Sequence, residues 1–327
     1  MELQQLLARF EQDKGDYSGR LKQTFGQLCT LTDQIPLPGS GQTYQRWQIL
    51  AQVAATDLVL AKWFESHLDA IAILAELGLA VDTKKRWAIW AAEGSPRPLV
   101  YAQGKVSGLK TWCSAAALVD FGLITCRNEA GQSQLLIVEM QQPGVGIDIA
   151  GWQAIGMYHT ATATISLNDV VVQQVGEPDD YLKRAGFWHG AAGVAACWFG
   201  ASVRLAEYLR DNSSLESHPY RLAGLGKVDA LLSSTKILFQ RVAEQIDQQP
   251  QQSHQHLIRI LRAQVEQNVQ QVIQLVGEVM GARPYCEQTI FARLMADLPV
   301  FIRQSHAAFD LAEIARLYIQ EQPTWRL

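Results

Sequence analysis

Several features that mark whole protein classes are scarce in this sequence. The five cysteines among 327 residues include no C-x-x-C pair, and no histidine lies at metal-ligand spacing from them. Neither a disulfide framework nor a metal site is therefore indicated, and we expect buried thiols in a reducing compartment. The cysteines are Cys29, Cys113, Cys126, Cys197 and Cys286.

Charge and apolar runs exclude further classes. The formal net charge is -4 and no basic patch stands out, which argues against a nucleic-acid partner. No apolar run is long enough to cross a bilayer, since His189 and Arg204 interrupt the longest one. The N-terminal stretch is amphipathic and lacks the apolar core of a signal peptide. We therefore expect a cytoplasmic protein that does not insert into membranes.

What the sequence does contain is a change of hydrophobic period along the chain. With 327 residues and 48% hydrophobic content, two or three packed units are expected. Apolar residues recur at a helical period up to about residue 85, whereas the period is two from 86 to 178. From 179 to 327 the pattern is helical again, and residues 190–209 are apolar nearly all round. The predicted fold class is α+β, mainly α, with domains at 1–85, 86–178 and 179–327.

Residues 104–127 are the most informative stretch. Gly108, Leu109 and Lys110 predict a turn, with strands on either side. On such a strand Trp112 offers a large flat apolar face, and Ser114, two residues on, points to the same side of the pleat. A planar ligand with polar ring edges would suit this pair, although a tryptophan and a serine at this spacing are more often core packing.

This stretch resembles a signature of the acyl-CoA dehydrogenase family, G-x-K-x-W-[IC]-[ST]-x-[AG]. The matching residues are Gly108, Lys110, Trp112, Cys113, Ser114 and Ala116. In that family the tryptophan and the hydroxyl residue lie against the flavin ring of FAD. The resemblance therefore implies that Lys110, Trp112 and Ser114 bind FAD. It also implies a helical N-terminal domain, a middle β-barrel-like domain and a C-terminal four-helix bundle.

Two further segments are similar to flavin-contacting segments of the family. Residues 87–95 resemble the strand and loop that end in T-E-P-x-x-G-S, which implies cofactor contacts from Ala92, Glu93 and Ser95. Ala92 replaces the threonine, so only its backbone N–H could bond the flavin. Gly281 lies in the segment that touches FAD across a dimer interface in the family. A homodimer or homotetramer is implied.

The expected catalytic base is the main departure from the family. Dehydrogenation of an acyl thioester needs a carboxylate that removes the α-proton while the flavin takes a hydride. The two family positions for this glutamate fall at Ser305 and near Gly190. The neighbouring His306 and His189 are candidate bases, with helix capping or inter-helix hydrogen bonding as the alternative for each.

The resemblance predicts a flavin-dependent oxidoreductase that dehydrogenates acyl-CoA or another acyl thioester, with electron-transfer flavoprotein as a possible partner. Two alternatives remain open. One is a flavin-dependent monooxygenase of the same fold that acts on an aromatic or sulfur substrate. The other is a degenerate family member without catalytic activity.

Overall fold

The chain folds into two units whose segments alternate in sequence. A computed structural model describes residues 2–80, 82–128, 130–212, 218–322 and 324–326. The first unit comprises Met1–Ile35 and Val59–Phe187, and the second comprises Pro36–Leu58 and Trp188–Leu327. The order of helical, sheet and helical segments is as predicted, because the strands begin at Trp87 and end at Val175. The two boundaries between the three predicted domains stay predictions.

The helices and strands of the described residues are as follows. The helices are α1 (Glu2–Gln12), α2 (Tyr17–Cys29), α3 (Thr43–Thr56), α4 (Leu58–Glu76), α5 (Asp180–Lys183), α6 (Gly186–Arg210), α7 (Pro219–Gln248), α8 (Gln255–Met280), α9 (Arg283–Glu287), α10 (Thr289–Phe301) and α11 (Ala308–Glu321). The strands are β1 (Trp87–Trp90), β2 (Val100–Ala102), β3 (Lys105–Cys113), β4 (Phe121–Arg127), β5 (Ser133–Glu139), β6 (Val145–Asp148), β7 (Ala163–Val171) and β8 (Gln173–Val175).

The first unit is built on a single mixed sheet. Its order is β6-β7-β3-β2-β4-β5-β8, and β1 pairs with β4 in parallel. Helix α4 packs its apolar residues on this sheet, and each fully buried aliphatic side chain contributes about 1.5–3 kcal/mol. The buried side chains of this core are Ala70, Ile71, Ile73, Leu74, Trp87, Leu123, Leu135, Ile137, Val175 and Tyr181.

The predicted turn at residues 108–110 is wrong, because β3 runs straight through it. Gly108, Leu109 and Lys110 pair with successive residues of β7 in an antiparallel ladder. Glycine is required at 108 for another reason. Its φ is 131°, and a Cβ there would lie 2.6 Å from the carbonyl oxygen of Pro98. The glycine therefore admits a close backbone neighbour.

The second unit consists of helices. The small residues of α6 allow α3 to approach it closely, since a Cβ on Gly200 would lie 2.1 Å from the carbonyl oxygen of Ala51. A Cβ on Gly193 would lie 3.2 Å from Leu50. The buried apolar positions of α8 repeat at helical spacing. They include Ile258, Leu261, Val265, Val269, Val272 and Val276.

Two expectations from composition can be compared with these units. Within the described ranges, none of the helices combines the length and apolar character that a membrane span needs. Four of the five free cysteines are buried, but Cys286 on α9 is exposed. The expectation that all five thiols are buried is wrong, because α9 is a short surface helix with only Pro284 buried.

Candidate functional site

Residues 112–115 form a strained segment at the end of β3. Trp112 and Ala115 have φ values of 64° and 61°, in the left-handed region that costs a residue other than glycine about 1–3 kcal/mol. Hydrogen bonds hold this conformation. The indole N–H of Trp90 donates to the Ser114 carbonyl at 3.0 Å, and the Ala115 N–H donates to the Thr160 carbonyl at 3.3 Å. Strain that neighbouring groups enforce in this way is typical of ligand sites.

Trp112 presents a broad apolar surface. Trp112 is 60% exposed to solvent. The ring of Trp152 meets it edge-on, with the ring centres 6.2 Å apart and the planes at 87°. Trp152 is itself fixed, because its indole N–H donates to the Tyr158 carbonyl at 3.0 Å. An exposed, oriented indole face of this kind suits a flat aromatic ligand.

Ser114 follows Trp112 by two residues but does not lie on the same side of the pleat, so that prediction is wrong. Ser114 is only 7% exposed, whereas Trp112 is largely exposed. The left-handed backbone at Trp112 breaks the alternation, and β3 ends at Cys113, before the serine. The two residues still share a backbone hydrogen bond, from the Ser114 N–H to the Trp112 carbonyl at 3.3 Å.

A chain of three buried hydroxyl groups begins at Ser114. Its Oγ lies 2.7 Å from Oγ1 of Thr162, which lies 2.9 Å from Oγ1 of Thr160. Thr160 donates its hydroxyl hydrogen to the carbonyl of Met157 at 2.7 Å. None of the three hydroxyl residues is more than 9% exposed. Thr160 and Thr162 were not predicted as site residues, although two threonines two residues apart before a strand were a visible signal in the sequence.

Lys110 is anchored inside the first unit. Its Nζ donates to the backbone carbonyl of Thr125 at 2.8 Å and to the Thr125 hydroxyl at 3.0 Å. Burial lowers the pKa of Lys110, and the nearby carboxylate of Glu93 opposes that shift. Glu93 in turn forms an ion pair with Arg127 at 3.6 Å. Lys110 and Glu93 are thus brought together around Thr125.

The other cofactor-binding predictions lie on loops or helix ends. Ala92 is exposed in the segment after β1, and the Ser95 hydroxyl donates to the Arg97 carbonyl at 3.2 Å. In the second unit, Gly281 ends α8 with a φ of 69°, and its N–H donates to the Gly277 carbonyl at 3.0 Å. This geometry accounts for the glycine. The roles of all three residues in binding a cofactor stay predictions.

Ser305 and His306 lie together in the second unit, between the short turn Ile302–Gln304 and α11. The side chain of His306 is 76% exposed. Its backbone N–H donates to the carboxylate of Asp310 at 3.1 Å, and its Nδ1 lies 3.9 Å from the same oxygen. Asp310 also pairs with Arg259, whose guanidinium lies 4.3 Å above the ring of Trp188. A basic residue of α8 therefore anchors the segment that carries His306.

His189 is buried on α6, and its Nε2 lies 2.9 Å from the carbonyl oxygen of Gln252. Because a carbonyl only accepts, the imidazole donates here. The bond joins α6 to the loop between α7 and α8, so it is a structural contact as the alternative expects, although Gln252 lies outside both helices. The catalytic role of His189 stays a prediction, as do those of His306 and Ser305.

Arg262 connects the two predicted base segments. It donates to the carbonyl of Ala191, near His189, and to the carbonyl of Gln304, next to Ser305. Arg259 and Arg262 were not predicted as site residues from the sequence. Their spacing of three residues, which puts both on one side of α8, was the available signal.

A curled sheet between helical segments, with a helical bundle at the end of the chain, defines the acyl-CoA dehydrogenase-like fold. Residues 181–302 match the family model for the acyl-CoA dehydrogenase C-terminal domain. The resemblance inferred from the sequence is thereby confirmed. None of the curated proteins matches the sequence.

Solved structures extend this likeness to the whole chain. Dibenzothiophene monooxygenase TdsC from Paenibacillus sp. A11-2, solved with FMN, is 16% identical at a TM-score of 0.78, covering 98% of this chain and 95% of TdsC. Methanesulfinate monooxygenase MsuC from Pseudomonas fluorescens is 17% identical at a TM-score of 0.72, and the match covers 98% of this chain and 94% of MsuC. KijD3, solved with FMN and a dTDP-linked amino sugar, is 16% identical at a TM-score of 0.76, and the match covers 99% of this chain and 92% of KijD3. At these identities the likeness establishes the fold.

Proposed function

We propose that the protein is a flavin-dependent monooxygenase that uses FMN. The observation that carries this proposal is the exposed, strained Trp112 beside the buried hydroxyl of Ser114. The indole face would lie against the isoalloxazine, and Ser114 would bond a polar ring edge. Similar solved structures that contain FMN, or whose names describe monooxygenases, support the proposal.

The region around Ser305 favours oxygenation over dehydrogenation. Neither predicted base position has a carboxylate, and the Asp310 carboxylate beside His306 is engaged by Arg259 and by the His306 N–H. An exposed imidazole can instead hold or deliver a proton in an oxygenation reaction. Reduced flavin, when bound, supplies two electrons to dioxygen, so that one oxygen atom enters the substrate and the other leaves as water.

Dehydrogenation of an acyl thioester is the second candidate, and the family-model match over residues 181–302 favours it. In that reaction FAD would serve in place of FMN, and His306 or His189 would serve as the displaced base. Electron-transfer flavoprotein would be needed only for this reaction, because a monooxygenase returns to its oxidised state with dioxygen.

Self-association as a homodimer or homotetramer remains part of the proposal. Phe309 and Leu311 on α11 are 60% and 58% exposed, and Ile319 is 69% exposed. A second copy that covered α11 would remove this apolar surface from water.

One experiment separates the two reactions. The protein is loaded with FMN or FAD and mixed with acyl-CoA in the absence of dioxygen and reductant. In parallel, reduced FMN, ¹⁸O-labelled dioxygen and either indole or dibenzothiophene are supplied. We expect the label in the organic product and no bleaching of the flavin by acyl-CoA. Bleaching without label incorporation would favour dehydrogenation, and failure to bind either flavin would refute both reactions.

A further inference from the structure

The peptide group that joins Ser114 to Ala115 is held at both ends. Its carbonyl oxygen accepts the indole N–H of Trp90 at 3.0 Å, and its N–H donates to the carbonyl of Thr160 at 3.3 Å. The same Thr160 carbonyl also accepts the indole N–H of Trp63 at 3.1 Å. Because a peptide group is planar, bonds at both ends fix its orientation, and with it the left-handed φ of Ala115.

The two tryptophans that supply these bonds are themselves fixed by packing. Trp63 and Trp90 are each only 3% exposed. The ring of Trp90 lies so close to Gly122 that a Cβ there would be 2.3 Å from it, and the ring of Trp63 meets that of Phe25 edge-on at 5.6 Å. An indole has a single N–H donor and no acceptor, so each ring donates from one defined place.

The backbone connects this fixed peptide group to Trp112. The Ser114 N–H donates to the Trp112 carbonyl at 3.3 Å, and Trp112 has a left-handed φ of 64°. For residues other than glycine this conformation is less stable than the extended one, so Trp112 and Ala115 would relax if the supporting bonds were lost. Relaxation at Trp112 would turn its exposed indole away from its present direction.

We propose that Trp63 and Trp90 are positioning residues that keep the indole face of Trp112 in the orientation its planar ligand requires. The proposal rests on the flavin site of the proposed function. A protein whose binding-competent conformation is only partly populated binds its ligand more weakly, in proportion to the missing fraction. Loss of either indole N–H therefore weakens flavin binding, although both rings are buried away from the exposed face of Trp112.

The test replaces each of the two indoles by a phenyl ring, which keeps an aromatic side chain and removes the N–H. Trp90→Phe and Trp63→Phe should each weaken binding of oxidised FMN about two- to tenfold. Amide hydrogen exchange around Ala115, measured without FMN, should become faster in both variants. The two variants are compared with the control separately, so either one decides the question if the other does not fold.

Trp87→Phe provides the matched control. Trp87 is 4% exposed in the same unit, and its indole N–H donates to the backbone carbonyl of Asp82 at 3.1 Å. This variant loses an equivalent bond outside the strained segment, so its FMN affinity and its exchange around Ala115 should match those of the wild type.

A rescue variant separates positioning from a general loss of stability. Ala115→Gly removes the cost of the left-handed conformation at that residue but cannot replace the lost hydrogen bond. Trp90→Phe/Ala115→Gly should therefore bind FMN more tightly than Trp90→Phe. FMN affinities of Trp90→Phe and Trp63→Phe equal to that of Trp87→Phe would overturn the inference and leave the proposed function standing. A wild-type protein that binds no FMN would overturn both.

Discussion

The ion pair between Arg259 and Asp310 provides the sharpest test of how the His306 segment is held. The two side chains are only 10% and 14% exposed. Arg259→Met removes the cation and leaves the Asp310 carboxylate unpaired in a site largely shielded from water. Loss of one partner of a buried pair destabilises a protein by about 3–5 kcal/mol. We expect a loss of unfolding free energy in that range, to which the lost contact between Arg259 and the ring of Trp188 adds.

A double-mutant cycle in urea, followed by tryptophan fluorescence, measures this coupling. The double variant Arg259→Met/Asp310→Leu has no unpaired charge, so it should be more stable than Arg259→Met alone. The control is Arg241→Met, because Arg241 and Glu244 form a pair in which both side chains are 61% exposed. Solvent screens such a pair, and we expect almost no change. If Arg259→Met cost no more than this control, the anchoring of residues 302–310 on α8 would be refuted.

Three further predictions address other parts of the molecule. Gly200→Ala should lower the urea midpoint, because the new Cβ would meet the backbone of Ala51. The control Gly226→Ala on α7 places its Cβ where no atom lies within 4 Å, so it should raise the midpoint through helix propensity. Equal shifts of the midpoint in the two variants would contradict the packing of α6 on α3. In the native protein a thiol reagent should modify Cys286 alone, and it should modify all five cysteines only after unfolding. The reason is that burial shields the other thiols and raises the pKa of Cys29 and of Cys113 to about 12 and that of Cys126 to about 11. Burial lowers the pKa of Lys110, so as the pH rises toward 10.5 the folded protein loses this proton before the unfolded chain does. The wild type should therefore gain stability relative to Lys110→Met over that interval. A constant difference in urea midpoint between the two proteins would contradict the burial of the ammonium group.

The sequence predicts the order of elements well because hydrophobic period is a local property. The change from a period of 3.6 to a period of two places the strands between residues 86 and 178, and the structure begins them at Trp87. The apolar character of residues 190–209 on nearly all sides also indicated a helix surrounded by neighbours. Which helices surround it was not predictable, because the contact of Gly200 with Ala51 joins residues far apart in sequence.

A motif in the sequence pointed to the stretch around Trp112, and the structure differs from the predicted local geometry of that stretch. Its role in binding a cofactor stays a prediction. Gly108 and Lys110 have the composition of a turn, but pairing of β3 with β7 overrides that local preference. The left-handed conformation of Trp112 has no signature in sequence, since tertiary hydrogen bonds enforce it. The partner of Ser114 is Thr162, which lies just before β7 and far away in sequence. The partner of His306 is Asp310, which lies four residues later in α11.

Flavin binding at Trp112 tests the central claim most directly. Oxidised FMN is titrated into the wild type, into Trp112→Ala and into the control Trp325→Ala, whose tryptophan is 83% exposed on the second unit. Loss of one aromatic stacking partner is worth about 0.5–1.5 kcal/mol, so Trp112→Ala should bind FMN up to about tenfold more weakly. Its urea midpoint should change little, because the side chain is already largely exposed. Saturable binding that Trp112→Ala weakens and Trp325→Ala does not is the predicted result, and unchanged affinity in Trp112→Ala would contradict the account.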